Sequence, residues 1–77
     1  GNAFLKAYQK EILKLRWHLF FSVYLEALVS ENRWPEVVRV IRKYDLLEKE
    51  KAYRTKASHA PLLSQYYRRA CDVLAMS

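Results

Sequence analysis

Glycine and proline are nearly missing from this 77-residue sequence, which contains one Gly and two Pro. Small sheet-rich domains need glycine at their tight turns, so the shortage predicts helices joined by few connections. The single glycine is residue 1, which leaves no glycine-rich loop to bind phosphate through backbone N–H groups. Nucleotide-binding enzymes that depend on such loops are therefore excluded.

Cysteine is equally scarce, because Cys71 is the only one in the chain and excludes an internal disulfide. Its apolar neighbours in a helical pattern predict a buried, unreactive thiol. The lack of disulfides predicts an intracellular location, either cytoplasmic or nuclear. No apolar run approaches the roughly 18 residues of a membrane span, and no signal-peptide pattern opens the chain. We therefore expect no membrane partner.

Side chains that carry catalysis or bind metals are sparse and scattered. His18 and His59 lie 41 positions apart, and Cys71 has no second cysteine at ligand spacing. The acidic residues of EKEK, residues 48–51, alternate with lysines as they do on the solvated face of a helix. We therefore expect no metal site, no cofactor and no enzymatic activity, and we assign no catalytic residue.

The length and the charge of the chain limit the number of domains and the kinds of partner that it can have. A sequence of this size forms one domain at most, and its 52% hydrophobic content fits a globular chain. The formal charge of +6, from 14 Lys and Arg against 8 Asp and Glu, favours an acidic partner or nucleic acid. We expect a single helical domain over residues 1–77, taken from a larger protein, with Gly1 as a candidate cloning remnant.

The first helix is predicted to be long, because no helix-breaking residue interrupts the pattern from Ala3 to about Ser30. An apolar stripe recurs at steps of three and four residues, namely Leu5, Tyr8, Ile12, Leu15 and Leu19. A separate basic strip consists of Lys6, Lys10 and Lys14. The segment WHLFFSVYLEALV, residues 17–29, is apolar except for a line of three polar residues, His18, Ser22 and Glu26. We expect other helices or a partner to enclose this segment.

Two prolines and two polar connectors divide the rest of the chain. The connector at 31–33 places Asn32 or the backbone of Trp34 near the N-cap of a second helix, and Pro35 fits its first turn. DLLE, residues 45–48, has the form of a capping box and predicts a restart of the helix there, unless the second helix continues. Pro61 is placed to open the last helix. These breaks predict an all-α bundle of three or four helices.

Helical spacing also predicts which faces are buried. The core face of the second helix comprises Val37, Val38, Ile41 and Tyr44, and that of the last helix comprises Leu63, Tyr67, Ala70 and Leu74. Arg39, Arg42 and Lys43 lie on the opposite side of the second helix. The second helix is therefore expected to have one structural face and one basic face.

The pattern of residues 18–44 predicts an αα-hairpin, which is the unit of helical-repeat proteins. The segment resembles one tetratricopeptide-type hairpin in the apolar positions of its register, which are Phe21, Tyr24, Leu28, Trp34, Val37 and Ile41. Three larger residues, Leu25, Val37 and Tyr44, stand where that family places small ones. The resemblance implies a helical hairpin with an uncovered apolar face that is available to a partner.

A second resemblance concerns the two tryptophans. Trp17 and Trp34 are separated by 17 positions and followed by basic residues, which is similar to Myb-type three-helix domains. The third tryptophan of that pattern is missing, and the stretch LLEKEKAYRTKAS at the recognition position contains two glutamates. This resemblance implies a small basic helix-turn-helix-like domain that binds nucleic acid, and it supplies the alternative function.

The function favoured by the sequence is a non-catalytic protein-interaction or scaffold module. Its partner is expected to be an acidic protein or an amphipathic helix, bound through an apolar and aromatic helical surface with basic flanks. Self-association into a homo-oligomer is a further expectation. The residues predicted to contact the partner are Trp17, Phe21, Tyr24, Trp34, Arg39, Arg42, Lys43, Tyr66, Arg68 and Arg69.

Overall fold

The computed structural model describes residues 2–55 and 58–76, and within them it contains four α-helices and no strand. The helices are α1 (Asn2–Ser30), α2 (Trp34–Lys43), α3 (Leu46–Tyr53) and α4 (Leu63–Met76). The predicted all-α bundle with a long first helix is confirmed. Gly1, for which a cloning origin was expected, lies outside the described residues, as do two positions of the charged stretch after α3.

The first helix is a continuous rod of 29 residues, about 43 Å long at 1.5 Å per residue. The molecule measures 55 × 20 × 18 Å, and residues 2–11 of α1 are all exposed. The amino-terminal part of α1 therefore projects beyond the bundle. Among the described residues, no helix combines the length and the apolar character needed to cross a lipid bilayer.

The turn between α1 and α2 closes the predicted hairpin. Asn32 has a φ of 57°, in the left-handed region that asparagine tolerates better than most residues. The Arg33 N–H donates to the Leu28 carbonyl at 2.9 Å, which satisfies an end group of α1. Asn32 thus helps to end α1, whereas the N-cap of α2 is Arg33, without a side-chain cap. Pro35 lies in the first turn of α2, as predicted.

The break between α2 and α3 lies where the sequence predicted it but has a different cause. Asp45 has a φ of 53° and makes no side-chain capping hydrogen bond, so the predicted capping box is wrong. A capping side chain needs an extended backbone at the N-cap, whereas Asp45 is left-handed and donates its N–H to the Arg42 carbonyl at 3.3 Å. The left-handed residue therefore ends α2, and α3 starts at Leu46.

All four helices contribute to one core. It consists of Leu25, Leu28, Val29, Val37, Val40, Ile41, Leu46, Leu63, Tyr66 and Ala70. The helix α2 packs against α1, α3 and α4. Two predicted core residues lie at its edge instead, because Tyr44 is 44% exposed and Leu74 is 38% exposed. In α4, Tyr66 takes the buried position that was expected for Tyr67.

The packing of residues 17–29 is the main correction to the sequence-based expectation. The polar residues His18 and Ser22 face the core and are 0% and 5% exposed. Apolar residues of the same segment face outward, with Phe20 at 61% and Val23 at 69% exposure. Burial of His18 and Ser22 is possible because their polar atoms have hydrogen-bond partners, including Ser22 Oγ, which donates to the His18 carbonyl at 2.9 Å. Glu26, the third residue of the polar line, is exposed. The segment is therefore not enclosed.

Candidate protein-interaction site

Six aromatic rings form a connected group, called the aromatic cluster below, where α1 meets the carboxyl ends of α2 and α3. Its members are Trp17, Phe20, Phe21, Tyr24, Tyr44 and Tyr53. The ring-centroid distances are 5.3 Å for Trp17–Phe21, 5.3 Å for Trp17–Tyr53, 5.1 Å for Phe20–Phe21, 6.3 Å for Phe20–Tyr24 and 5.6 Å for Phe21–Tyr44. These separations are typical of favourable aromatic pairs.

The aromatic cluster has a supported inner layer and an exposed outer layer. Trp17 and Phe21 are half-buried and pack against the hydrophobic core. The other four rings are exposed, Phe20 by 61%, Tyr24 by 44%, Tyr44 by 44% and Tyr53 by 40%. Phe20, Tyr44 and Tyr53 each contact an inner ring, and Tyr24 contacts Phe20, so part of the ordering that a partner requires is already present in the free chain.

A groove adjoins the outer layer on α1. It has a volume of about 460 Å³ and is lined by Arg16, Leu19, Phe20, Val23 and Tyr24. Four of the five lining side chains carry large apolar groups, and the fifth is a cation. The groove is open along one side of the helix, which suits an elongated apolar segment better than a compact small molecule.

Cations lie beside the aromatic cluster on α2. The Lys43 ammonium is 5.4 Å from the centroid of the Tyr44 ring, within the range of a cation–π contact. Beyond it, a second groove of about 590 Å³ is lined by Pro35, Val38, Arg39, Arg42 and Lys43. This groove corresponds to the basic face of α2 predicted from the sequence.

Two of these arginines already have partners within the chain. Arg39 donates to Glu36 at 3.0 Å, and Arg42 donates to the Tyr67 hydroxyl at 3.1 Å. The hydrogen bond to Tyr67 is the main reason that the pKa of Arg42 is raised, so this guanidinium stays charged. An acidic partner would have to compete with Glu36 for Arg39. Within residues 2–55 and 58–76, no carboxylate forms an ion pair with Arg42 or Lys43.

The remaining predicted contacts lie elsewhere in the structure. The Arg69 guanidinium is 5.6 Å from the centroid of the Trp34 ring, so this pair forms a contact between α4 and the start of α2. Arg68 is exposed on α4. Tyr66, also predicted as a partner contact, is 4% exposed and belongs to the core. The structure thus brings Trp17, Phe21 and Tyr24 together, with Lys43 beside the same cluster, and places Trp34, Tyr66 and Arg69 elsewhere.

Tyr66 joins α4 to α1 through its hydroxyl group, which donates to Glu26 at 2.9 Å. Burial, together with this hydrogen bond, raises the pKa of Tyr66 from 10.0 to about 12. Both causes favour the neutral phenol over the phenolate. Glu26 therefore keeps a hydrogen-bond donor at this position throughout the neutral pH range.

A buried polar network lies beneath the aromatic cluster and joins α1, α3 and the segment before α4. His18 Nε2 lies 2.7 Å from a Glu50 carboxylate oxygen, and His18 Nδ1 lies 2.8 Å from Ser58 Oγ. Glu50 also accepts the backbone N–H groups of Leu63 at 2.6 Å and Ser64 at 3.4 Å. These are unpaired groups of the first turn of α4, so Glu50 caps that helix from a different element.

Ser58, His18 and Glu50 are the residue types of a hydrolase catalytic triad, and they are hydrogen-bonded in the same order. Their surroundings nevertheless indicate a structural role. Ser58 is 5% exposed and His18 is 0% exposed, so the hydroxyl group is not presented to a substrate. Glu50 is committed to the N-terminus of α4. Within residues 2–55 and 58–76, no three His, Cys, Asp or Glu side chains are grouped so as to bind a metal ion.

Several of these residues were missed by sequence reasoning. Phe20, Tyr44 and Tyr53 were not predicted as contacts, although a count of aromatic residues at the helix ends would have drawn attention to the last two. Glu50 was assigned to a solvated face because lysines flank it, whereas it is 6% exposed. Alternation of charges along the sequence does not show which side chain of a short helix faces inward.

Comparisons of the chain with protein-family models, with curated proteins and with solved structures found no match. Its function is therefore inferred from its own residues and their geometry.

Proposed function

We propose that this domain is a non-catalytic protein-interaction module that binds its partner on the aromatic cluster. The observation that carries the proposal is the exposure of four aromatic rings over the fixed pair of Trp17 and Phe21. Exposed contiguous apolar patches mark interaction sites, and aromatic residues dominate the energy of such interfaces. The open groove beside Phe20 and Tyr24 favours a helical or extended segment as the bound element.

The chemistry of the partner follows from the charges around the cluster. Lys43 stands over Tyr44 on one side, and Arg16 lines the groove on the other. The whole chain carries a formal charge of +6. An amphipathic helix with acidic residues on either side of its apolar face complements this arrangement, because opposite charges speed association and fix the orientation of the complex. We place the module inside the cell, in line with its unpaired cysteine.

Selection of displayed peptides against the folded chain tests this proposal. We expect the selected peptides to combine apolar residues at helical spacing with flanking acidic residues. The double variant Phe20→Ala/Tyr24→Ala should lower the affinity of a selected peptide by at least about tenfold in calorimetric titration, since two exposed aromatic anchors are removed. Peptides that bind this variant as tightly as the native chain would contradict the proposal.

A matched control is available on the same helix. Phe4 is 73% exposed and lies outside the aromatic cluster, so Phe4→Ala should leave the affinity for the peptide unchanged. The alternative, nucleic-acid binding, would give a different result with short DNA and RNA duplexes. Affinity would fall steeply as salt increases, and it would survive the double variant because phosphate contacts require cations rather than rings.

A further inference from the structure

The apolar stripe at the start of α1 is exposed at three of its five positions and half-buried at Ile12 and Leu15. Leu5, Tyr8, Ile12, Leu15 and Leu19 follow one another at steps of three and four residues, the spacing of the a and d positions of a coiled coil. Leu5 is 56% exposed, Tyr8 is 59% exposed and Leu19 is 42% exposed. We call these five residues the heptad seam.

The heptad seam lies on a separate side of α1 from both the core and the basic strip. At 100° per residue, the seam is turned by about a quarter of a circle from the core-facing line of His18 and Ser22. Lys6, Lys10 and Lys14 are about 180° from the seam. A second helix packed on the seam would therefore not contact the lysines. The helical bundle would lie beside this second helix rather than in its way.

We infer that the heptad seam pairs with the same seam of a second copy of this chain to form a short, parallel, two-stranded coiled coil. Ile12 occupies an a position and Leu15 a d position, the combination that favours two strands. The seam covers 15 residues, or about 22 Å of helix, so the dimer is expected to be weak and reversible. This inference goes beyond the proposed function, because the seam is centred on Tyr8, Ile12 and Leu15, none of which lines the peptide groove, although Leu19 and Arg16 border both surfaces.

Charge complementarity selects a second copy as the occupant of the seam. Glu11 occupies the g position before Ile12, and Arg16 occupies the e position after Leu15. In a parallel pair, the g residue of one helix lies beside the e residue of the next heptad on the other helix. Glu11 of each chain would then meet Arg16 of the other, twice by symmetry. An antiparallel pair would place like charges together.

The ion pair that Glu11 makes within the free chain is weak enough to be exchanged. Lys14 Nζ lies 3.4 Å from Glu11, whose side chain is 58% exposed. Exposed pairs three residues apart on a helix contribute little to stability. Arg16 is exposed as well. Both partners of the intermolecular pair are therefore available on the surface of the monomer.

Sedimentation equilibrium of the full chain tests the inference. Between about 5 µM and about 500 µM, the average mass should rise from 9.2 kDa toward twice that value. The variant Ile12→Glu should remain monomeric over the whole range, with unchanged helix content by circular dichroism. A native chain that stays monomeric throughout, or an Ile12→Glu variant that associates like the native chain, would overturn the inference.

Charge exchange tests the parallel orientation. Glu11→Arg alone and Arg16→Glu alone should each weaken association by about fivefold to tenfold, because each replaces two attractive pairs by two repulsive ones. The double variant Glu11→Arg/Arg16→Glu should restore it. Single variants that associate as well as the native chain would refute the parallel arrangement.

A last comparison separates this inference from the proposed function. Phe20→Ala/Tyr24→Ala leaves the heptad seam intact, so it should dimerise normally while losing the peptide. Ile12→Glu should bind the peptide and fail to dimerise. If both variants lost both properties, the two surfaces would not be independent, and the assignment of dimerisation to the seam alone would be wrong.

Discussion

A single carboxylate, that of Glu50, connects three parts of the fold. A buried carboxylate is costly unless hydrogen-bond donors or an opposite charge compensate it. Glu50 receives one donor from His18 and two from the first turn of α4. Ser58 Oγ satisfies the second ring nitrogen of His18, because a hydroxyl group can donate to Nδ1 or accept from it. The network is therefore satisfied despite its burial.

We expect Glu50→Ala to lower the free energy of unfolding by about 2–4 kcal/mol, because it leaves the His18 ring and the Leu63 N–H buried without an acceptor and removes the part-buried hydrogen bond of the Ser64 N–H. Glu48, two positions earlier, is a matched control. It is exposed and, among the described residues, forms an ion pair with Lys51 on the surface, so Glu48→Ala should change stability by less than about 0.5 kcal/mol. Chemical denaturation of the two variants measures the difference, and equal effects would contradict the structural role of Glu50.

Two left-handed residues set the ends of the helices. Asn32 follows α1 and Asp45 follows α2, and each has a positive φ that is unfavourable for a residue with a Cβ atom. Asparagine and aspartate tolerate this conformation better than most residues. The helix ends thus depend on two backbone conformations, whose sequence signal is weaker than that of glycine.

Substitution at Asp45 distinguishes a left-handed end from a capping box. Asp45→Thr should cost about 1–2 kcal/mol, because a β-branched residue fits poorly at positive φ. Asp45→Gly should stay within about 0.5 kcal/mol of the native chain or stabilise it slightly. A capping box would instead give two variants of similar stability, since threonine and glycine are comparable N-cap residues. The thermal unfolding midpoints of both variants distinguish a left-handed helix end from a capping box.

The whole molecule is elongated rather than spherical. Its radius of gyration is 14.3 Å, whereas a compact chain of this length would have about 11.5 Å. The excess comes from the projecting amino-terminal third of α1, which adds apolar surface without adding to the core. Packing between α1 and the bundle is therefore concentrated in the carboxyl-terminal half of α1, where Tyr66 and Glu26 meet.

Global stability should decrease in alkaline solution because of Tyr66. Its phenol ionises near pH 10 in the unfolded chain and at about pH 12 in the folded one, so the folded state holds the proton more tightly. The contribution of the neutral Tyr66 phenol to the free energy of unfolding is fully present below pH 10 and is lost as the pH rises from 10 to 12. Denaturation curves of the native chain and of Tyr66→Phe should converge over this interval. Curves that stay parallel would show that Glu26 and burial do not favour the neutral phenol.

The sequence predicted the helices well and the orientation of α1 poorly. Breaks at Pro35 and after Tyr44 are local signals, and both were found where expected. The choice of core face for residues 17–29 depended on Glu50 and Ser58, which lie 32 and 40 positions from His18. Hydrophobic periodicity cannot show that a distant carboxylate will make a polar line suitable for burial. The exposed ring of Phe20 followed from the same choice, so the outer layer of the aromatic cluster was predicted only in part.

The network around Glu50 also restricts how this sequence can change over time. The start of α4 is specified by a residue of α3, and that residue in turn needs a histidine from α1. A replacement at any one of these positions leaves the others with unmatched donors or acceptors, so no single second change repairs it. We expect positions 18, 50 and 58 to be inherited as a unit, while the exposed residues of the heptad seam and of the aromatic cluster remain free to adapt to whatever binds them.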